Sequence, residues 1–185
     1  VFEAKVNGVI YYLLDNQYYF KRQGMYGHYD DAERFAFFSR AALEMLPYIG
    51  FRPDVIHAND WQAALIPLYY SLFYATRDGY QGIKTVFTIH NIQYQGKYGM
   101  ELLEDVVGIP QSCRQLVEYD GCVNYMKAGI ETADRVTTVS PTYAGEILDP
   151  WYSWGLDPIL QARRWKLSGI LNGIDTDRYD PAADP

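Results

Sequence analysis

The chain has 185 residues, 49% apolar and 21% charged, a soluble globular composition long enough to bury one domain core. Its formal net charge of −7 argues against a nucleic-acid partner, which wants a basic face; a phosphorylated ligand would need backbone amides at a helix start. Two cysteines without CxxC spacing, three histidines without HxxxH spacing and no apolar run of about 18 residues argue against a disulfide framework, a zinc site and a membrane span.

In chain order, the apolar run Val9 to Leu14 reads as a strand that stops at Asp15-Asn16. Residues 21 to 29, rich in Gly and aromatics, read as a loop. Asp30 with Glu33 three residues on has capping-box spacing, and Phe35, Phe38, Ala42, Met45 and Ile49 form a helical stripe ended by Pro47 and Gly50. Asp54 to Ala58 reads as a short buried strand. Asn59, Asp60, Trp61 and Gln62 follow without a Gly or Pro spacer, and a helix is expected from Ala63 to Phe73.

Turns at Asp78-Gly79 and Gln81-Gly82 lead to a second buried strand, Lys84 to Ile89, which empties into a polar loop from His90 to Gly99. Residues 100 to 123 suggest short helices around Pro110. Asn124 to Ala133 reads as a helix with Met126, Ile130 and Ala133 on one side. Arg135 to Val139 reads as a third strand, and Ser140-Pro141 as a helix start with Ser as N-cap and Pro at the first turn. An aromatic loop from Asp149 to Gly155 precedes a helix around Leu156 to Arg164 and a last strand, Leu167 to Leu171. Asp180 onward resembles a linker. Strands alternating with helices indicate an α/β domain with a parallel sheet and helices on both faces.

Four of these strands end in polar residues: Asn59-Asp60, His90-Asn91, Ser140 and Asn172. In a parallel sheet such ends share one edge, where ligands bind. Each is ambiguous alone. Asp60 is read as a helix cap or a catalytic carboxylate, Asn172-Gly173 as a turn or a ligand contact, and His90 equally as structural or functional. His57, inside a strand, is expected in the core. The 18 tyrosines suit half-buried positions, or stacking on sugars or bases. With no GxG, GxxxxGK[ST] or GxSxG, a dehydrogenase, a P-loop enzyme and an α/β-hydrolase are disfavoured.

Read together, several stretches resemble bacterial glycogen synthase and plant starch synthase, glycosyltransferases of the two-domain GT-B fold. They are Asp30-Asp-Ala-Glu-Arg-Phe35, Pro53-Asp-Val-Ile-His-Ala-Asn-Asp-Trp-Gln62, Thr88-Ile-His-Asn-Ile-Gln-Tyr-Gln-Gly96, Lys127-Ala-Gly129, Ala133-Asp134, Val139-Ser-Pro-Thr-Tyr143, Tyr152 to Leu156 and Leu167-Ser-Gly-Ile-Leu-Asn-Gly-Ile-Asp175. They occur in family order along nearly the whole chain. The resemblance implies that residues 1–180 are most of the first Rossmann-like domain, without the family's opening Lys-x-Gly-Gly segment and its second domain, and that 181–185 begin a linker.

It further implies transfer of glucose from ADP-glucose to the non-reducing end of an α-1,4-glucan such as glycogen or starch, with retention and without a metal or other cofactor. Asp60 and His90 would be the catalytic pair. Tyr26, Asn59, Gln62, Asn91, Gln93 and Asn172 would bind substrate. The family often has His where Asn59 and Gln62 stand; both replacements keep hydrogen-bonding ability but not charge. The expected setting is a bacterial cytoplasm rather than a plastid, with no nucleic-acid or membrane partner and little activity from this stretch alone. The alternatives are a glucan- or nucleotide-binding fragment without turnover, or a related sugar-nucleotide transferase.

Overall fold

The computed structural model describes residues 1–176, 178–180 and 182. Asn7 and Gly8, both left-handed, close an antiparallel hairpin between β1 (Phe2–Val6) and β2 (Val9–Leu13). Asn-Gly suits such a turn because its twist matches that of the strands. The apolar run marks only β2; β1 is largely exposed and held by the turn. Asn16 then caps α1 (Gln17–Phe20), accepting the Tyr19 N–H at 3.1 Å.

The next helix, α2 (Asp31–Glu44), starts where expected but without the capping box. The Asp30 carboxylate instead takes both terminal nitrogens of Arg22, at 2.5 and 2.7 Å, which holds its pKa below the ordinary range. Glu33 accepts from the Tyr19 hydroxyl. A charged fork outcompetes a single backbone N–H for a carboxylate. The buried face of α2 is Ala32, Phe35, Ala36, Ser39 and Leu43, one row away from the expected stripe; of that stripe, Phe35 alone is fully buried. Three of its five members, Ala32, Ala36 and Ser39, are small, and a pattern read from large apolar side chains selects the neighbouring row.

A 3-10 turn and Gly50 lead to β3 (Val55–Asn59), which passes directly into α3 (Asp60–Ala63) and α4 (Leu65–Tyr69), extended by a π-helical turn to Tyr74. Every residue of α4 is buried. Then come β4 (Lys84–Ile89), β5 (Lys97–Tyr98), α5 (Leu102–Asp105), β6 (Glu118–Tyr119) and β7 (Cys122–Asn124). The expected short helices are α5 and a 3-10 turn at Gln111–Leu116. The small antiparallel sheet β5-β7-β6 has strands too short to show alternation.

Asn124 caps α6 (Tyr125–Thr132), and Met126, Ile130 and Ala133 are buried as expected. After β8 (Arg135–Thr138), Ser140 accepts the Tyr143 N–H at 2.9 Å and Pro141 opens α7 (Pro141–Glu146). The chain continues through α8 (Asp157–Ala162) to β9 (Leu167–Gly169), shorter than expected by two residues. Of the expected linker from Asp180 onward, residues 180 and 182 lie within the described residues and the others lie outside them.

The main sheet is parallel, in the order β3-β4-β8-β9, so the four strands with polar ends are the four that pair. Its two faces differ. Ala58, Phe87 and Val136 share one face and are buried; a Cβ on Gly129 of α6 would stand 3.0 Å from the Phe87 ring, so α6 rides directly on that face. His57, Thr88 and Thr137 share the other. His57 is therefore not a core residue: β3 is an edge strand, and alternation places His57 exposed on the polar face. Its Nε2 lies 2.5 Å from Thr88 Oγ1, which lies 2.6 Å from Thr137 Oγ1. Partial desolvation where its ring lies against the sheet, with His90 nearby, lowers the His57 pKa.

Buried tyrosines account for part of the aromatic excess. Tyr69, Tyr80 and Tyr125 donate to the carbonyls of Val107, Leu43 and Ala32 at 2.8, 2.8 and 2.9 Å, and Tyr70 donates to those of Tyr80 and Ile83. Each ring fills core while its phenol satisfies backbone from a distant segment.

Candidate active site

The site is built where β3 ends. Asn59 is the last extended residue, and Asp60 turns the chain into α3 with φ +55, a conformation uncommon outside glycine. That turn aims the Asp60 carboxylate at the neighbouring strand end, where Oδ1 accepts the His90 N–H at 2.8 Å. Asn59 Oδ1 meets His90 Nε2 at 3.0 Å, which requires the proton on Nε2 and, in the neutral ring, leaves Nδ1 as an acceptor. Asn59, Asp60 and His90 thus form one hydrogen-bonded group, with Asn59 and His90 exposed.

Beside it lies a cavity of about 610 Å³ lined by Tyr26, Gly27, His28, Asp31, Asp60, Trp61, Gln62, Asn91, Tyr94 and Tyr98. Its floor is Trp61, packed edge-on against Phe35 at 4.8 Å and tilted against Tyr98 at 6.3 Å. Burial pushes the Tyr98 phenol well above its ordinary pKa, so it is a neutral donor. The wall carrying Tyr26 is a loop organised by one buried ion pair. Arg34 binds Asp31, donates to the carbonyls of Tyr19 (2.8 Å) and Met25 (3.1 Å), and leaves Asp31 Oδ2 to accept the N–H groups of Gly27 and His28 at 2.6 and 3.1 Å. On the far wall, Ile92 N–H donates to the Tyr143 hydroxyl at 3.3 Å, fixing the loop after β4 to α7.

Of the residues singled out in the sequence, Tyr26, Asp60, Gln62 and Asn91 line the cavity, and Asn59 and His90 adjoin it through Asp60. Gln93 does not line it: this side chain is exposed, and its N–H donates to Asn91 Oδ1 at 3.0 Å. Asn172 is exposed beyond β9 and also lies outside the lining, and Ser140 is spent on capping α7. Trp61, Tyr94, Tyr98, His28 and Asp31 line the cavity without having stood out as ligand contacts. The Gly-Met-Tyr-Gly-His run of residues 24–28 is the signal for one of them, His28. Among the described residues no cluster of three or more His, Cys, Asp or Glu is placed to hold a metal, and no helix is long and apolar enough to cross a membrane.

This geometry has counterparts. A family profile described as the starch synthase catalytic domain matches residues 1–162. The chain belongs to the starch synthase catalytic domain family. A glycogen synthase of Exiguobacterium sibiricum is 50% identical over 189 residues, covering 100% of this chain and 39% of the relative. That of Geobacillus stearothermophilus is 49% identical, covering 99% of this chain and 38% of the relative. The catalytic domain of starch synthase IV from Arabidopsis thaliana, solved with ADP and acarbose bound, superposes with a TM-score of 0.86 at 38% identity, over 99% of this chain and 38% of that one. The α/β parallel-sheet fold of this starch synthase family member is therefore the one expected from its sequence. The chain spans about two fifths of the length of the curated relatives it matches.

Proposed function

We propose that this chain is part of a retaining glucosyltransferase that moves glucose from ADP-glucose to the non-reducing 4-hydroxyl of an α-1,4-glucan, acting as a glycogen or starch synthase. The observation that carries this reading is the cavity at the strand ends, floored by an indole and walled by phenols and amides, with the Asn59–Asp60–His90 group at its side. Such a lining suits a neutral sugar chain: ring faces stack on hexoses, and amides and hydroxyls pair with their hydroxyls.

In this reading Asp60 lies at the reaction region, where the acceptor hydroxyl meets the donor. His90 stands beside the donor glucose, its Nδ1 free to accept a sugar hydroxyl, with Asn59 fixing its tautomer. Tyr26 approaches the donor, while Gln62 and Asn91 position sugar hydroxyls. Gln93 and Asn172 are assigned at most outer contacts, because they stand off the cavity lining. Residues 1–180 make up most of one domain, and a second domain of the parent supplies the cations that receive the departing diphosphate. No metal is needed, since cationic side chains and helix amides stabilise that charge in its place. The cytoplasm is the matching compartment. Alone, this stretch holds too few transition-state contacts to turn over.

Transfer of radiolabelled glucose from ADP-glucose to glycogen, measured for this chain and for a version extended at both ends, tests the proposal. Transfer by the extended protein alone is the expected result. No transfer by either, with glucan binding intact, would favour a binding role without turnover.

A further inference from the structure

We propose that the loop Asp149–Gly155 is a second glucan contact, an aromatic platform continuous with the cavity that carries the distal part of a neutral α-linked glucan on Trp154 and Trp151. The inference rests on the glucan reading of the cavity and deepens it. Trp151 is 85% and Trp154 58% exposed. Single exposed aromatics are ordinary, but these two stand on a loop built not to move. Asp149 Oδ1 accepts the Trp151 N–H at 2.8 Å. Fully buried Ser153 donates to Asp157 Oδ1 at 2.7 Å and accepts the Gly155 N–H at 3.1 Å, and Tyr119 donates to the Gly155 carbonyl at 2.6 Å.

The backbone is also strained at the ring itself. Trp154 has φ +52. Among the described non-glycine residues with positive φ, Asn7, Asp120 and Trp154 each precede a left-handed glycine in a turn, and Asp60 stands in the candidate site. A bulky ring in this conformation is an outlier, and the fold gains little burial from it. The turn itself, closed by the Leu156 N–H on the Ser153 carbonyl, needs no indole, so a bulky exposed ring placed there points to recognition.

Its position says of what. Gln95, buried beneath the surface, donates from Nε2 to the Trp154 carbonyl at 3.1 Å and to the Ile92 carbonyl at 3.2 Å, while Asn124 donates to its Oε1 at 2.8 Å. Gln95 directly follows Tyr94, an exposed ring of the cavity lining, so the platform is pinned to the cavity rim. Carboxylates flank it: Asp149 and Asp157 are hydrogen-bonded within the loop, and Asp120 follows Tyr119, which is bonded to the Gly155 carbonyl. Acidic ground and stacking rings fit an uncharged polysaccharide and repel an anionic polymer.

Affinity electrophoresis of the chain in gels containing glycogen, with maltoheptaose and maltotriose as soluble competitors, tests this. Combined Trp151→Ala and Trp154→Ala substitution is expected to weaken glycogen and maltoheptaose binding at least tenfold, to weaken maltotriose binding far less, and Trp154→Phe to restore much of the loss. Should the double variant not fold, Trp151→Ser, at an exposed position, carries the test. Parent-like glycogen affinity in the variants overturns the inference, as does a parent chain that binds no glucan. Parent-like affinity with a lowered sedimentation coefficient would overturn it in favour of a second copy docked on the loop. Failure of the synthase reading is distinct: it shows as absent glucose transfer with these binding differences still present.

Discussion

Asp60 Oδ1 accepts the backbone N–H of His90 at 2.8 Å, so the carboxylate that ends β3 is also the tie that holds the end of β4. Structure and proposed chemistry share one side chain, and two substitutions separate them. Asp60→Asn keeps an acceptor oxygen and removes the charge. It is expected to stay within about 1 kcal/mol of the parent in stability and to lower glucose transfer in the extended protein by roughly 100-fold or more. Asp60→Ala should lose both the tie and the transfer. Denaturant midpoints and transfer rates measured together decide it, and parent-like transfer by Asp60→Asn would remove Asp60 from the reaction.

Gly96 sets the height of the cavity floor. It has φ +66, and a Cβ there would stand 2.6 Å from Trp61 Cε3. Gly96→Ala should therefore displace the indole as well as strain the backbone, at a cost of about 1–3 kcal/mol. Lower thermal stability together with a shifted tryptophan emission is the expected pair of changes. An unchanged melting temperature would show that the loop absorbs the methyl group.

Arg34 is the buried centre of the Tyr26 loop, with 2% exposure. Arg34→Met leaves the Asp31 carboxylate buried and unpaired, a loss of about 3–5 kcal/mol. Arg34→Lys is no remedy, because an ammonium cannot serve Asp31 and two carbonyls with one rigid fork. Both variants should become sensitive to limited proteolysis between residues 19 and 29. Resistance equal to that of the parent would mean the loop is held by other contacts.

Lys166 gives a pH signature. It donates to the carbonyls of Glu131 and Ala133 at the end of α6, and burial, with Arg163 nearby, lowers its pKa from 10.5 to about 8. Between these two values the unfolded chain binds more protons at this position than the folded one, so its contribution to stability rises with pH from about 8 towards 10.5 and is absent below. Tyr19 and Tyr74 act oppositely: their pKa values are raised to about 12 from 10.0, Tyr19 chiefly by its bond to Glu33 and Tyr74 chiefly by burial, so their contributions fade above pH 10. Stability curves of the parent and of Lys166→Met should differ in slope between about pH 8 and 10. Parallel curves there would contradict the shift.

Much of this was legible because the sheet is parallel and its strands are punctuated by polar residues. Asn59, Asp60, His90 and Asn91 could be placed at one edge from sequence because strand ends in a parallel sheet coincide. What escaped was set by tertiary contact. His57 looked internal since a strand's alternation does not tell which strand will be at the edge. Asp30 had the spacing of a capping residue, and Arg22, eight residues away, claimed it. Ala32, Ala36 and Ser39 form the buried row of α2 because close helix packing prefers small side chains. Trp61 was visible beside Asp60, but only the approach of Gly96 and Tyr98 makes it a floor.

The row of His57, Thr88 and Thr137 across the polar face has a consequence for assembly of the sheet. Evenly spaced backbone bonds in a parallel pair look alike after a shift, so backbone alone discriminates poorly between alignments. A slip of one residue would turn Phe87 outward and part Thr88 from both His57 and Thr137. The hydroxyls thus act as alignment pins, rewarding a single pairing of β3, β4 and β8 through side-chain hydrogen bonds that a shifted pairing would lose.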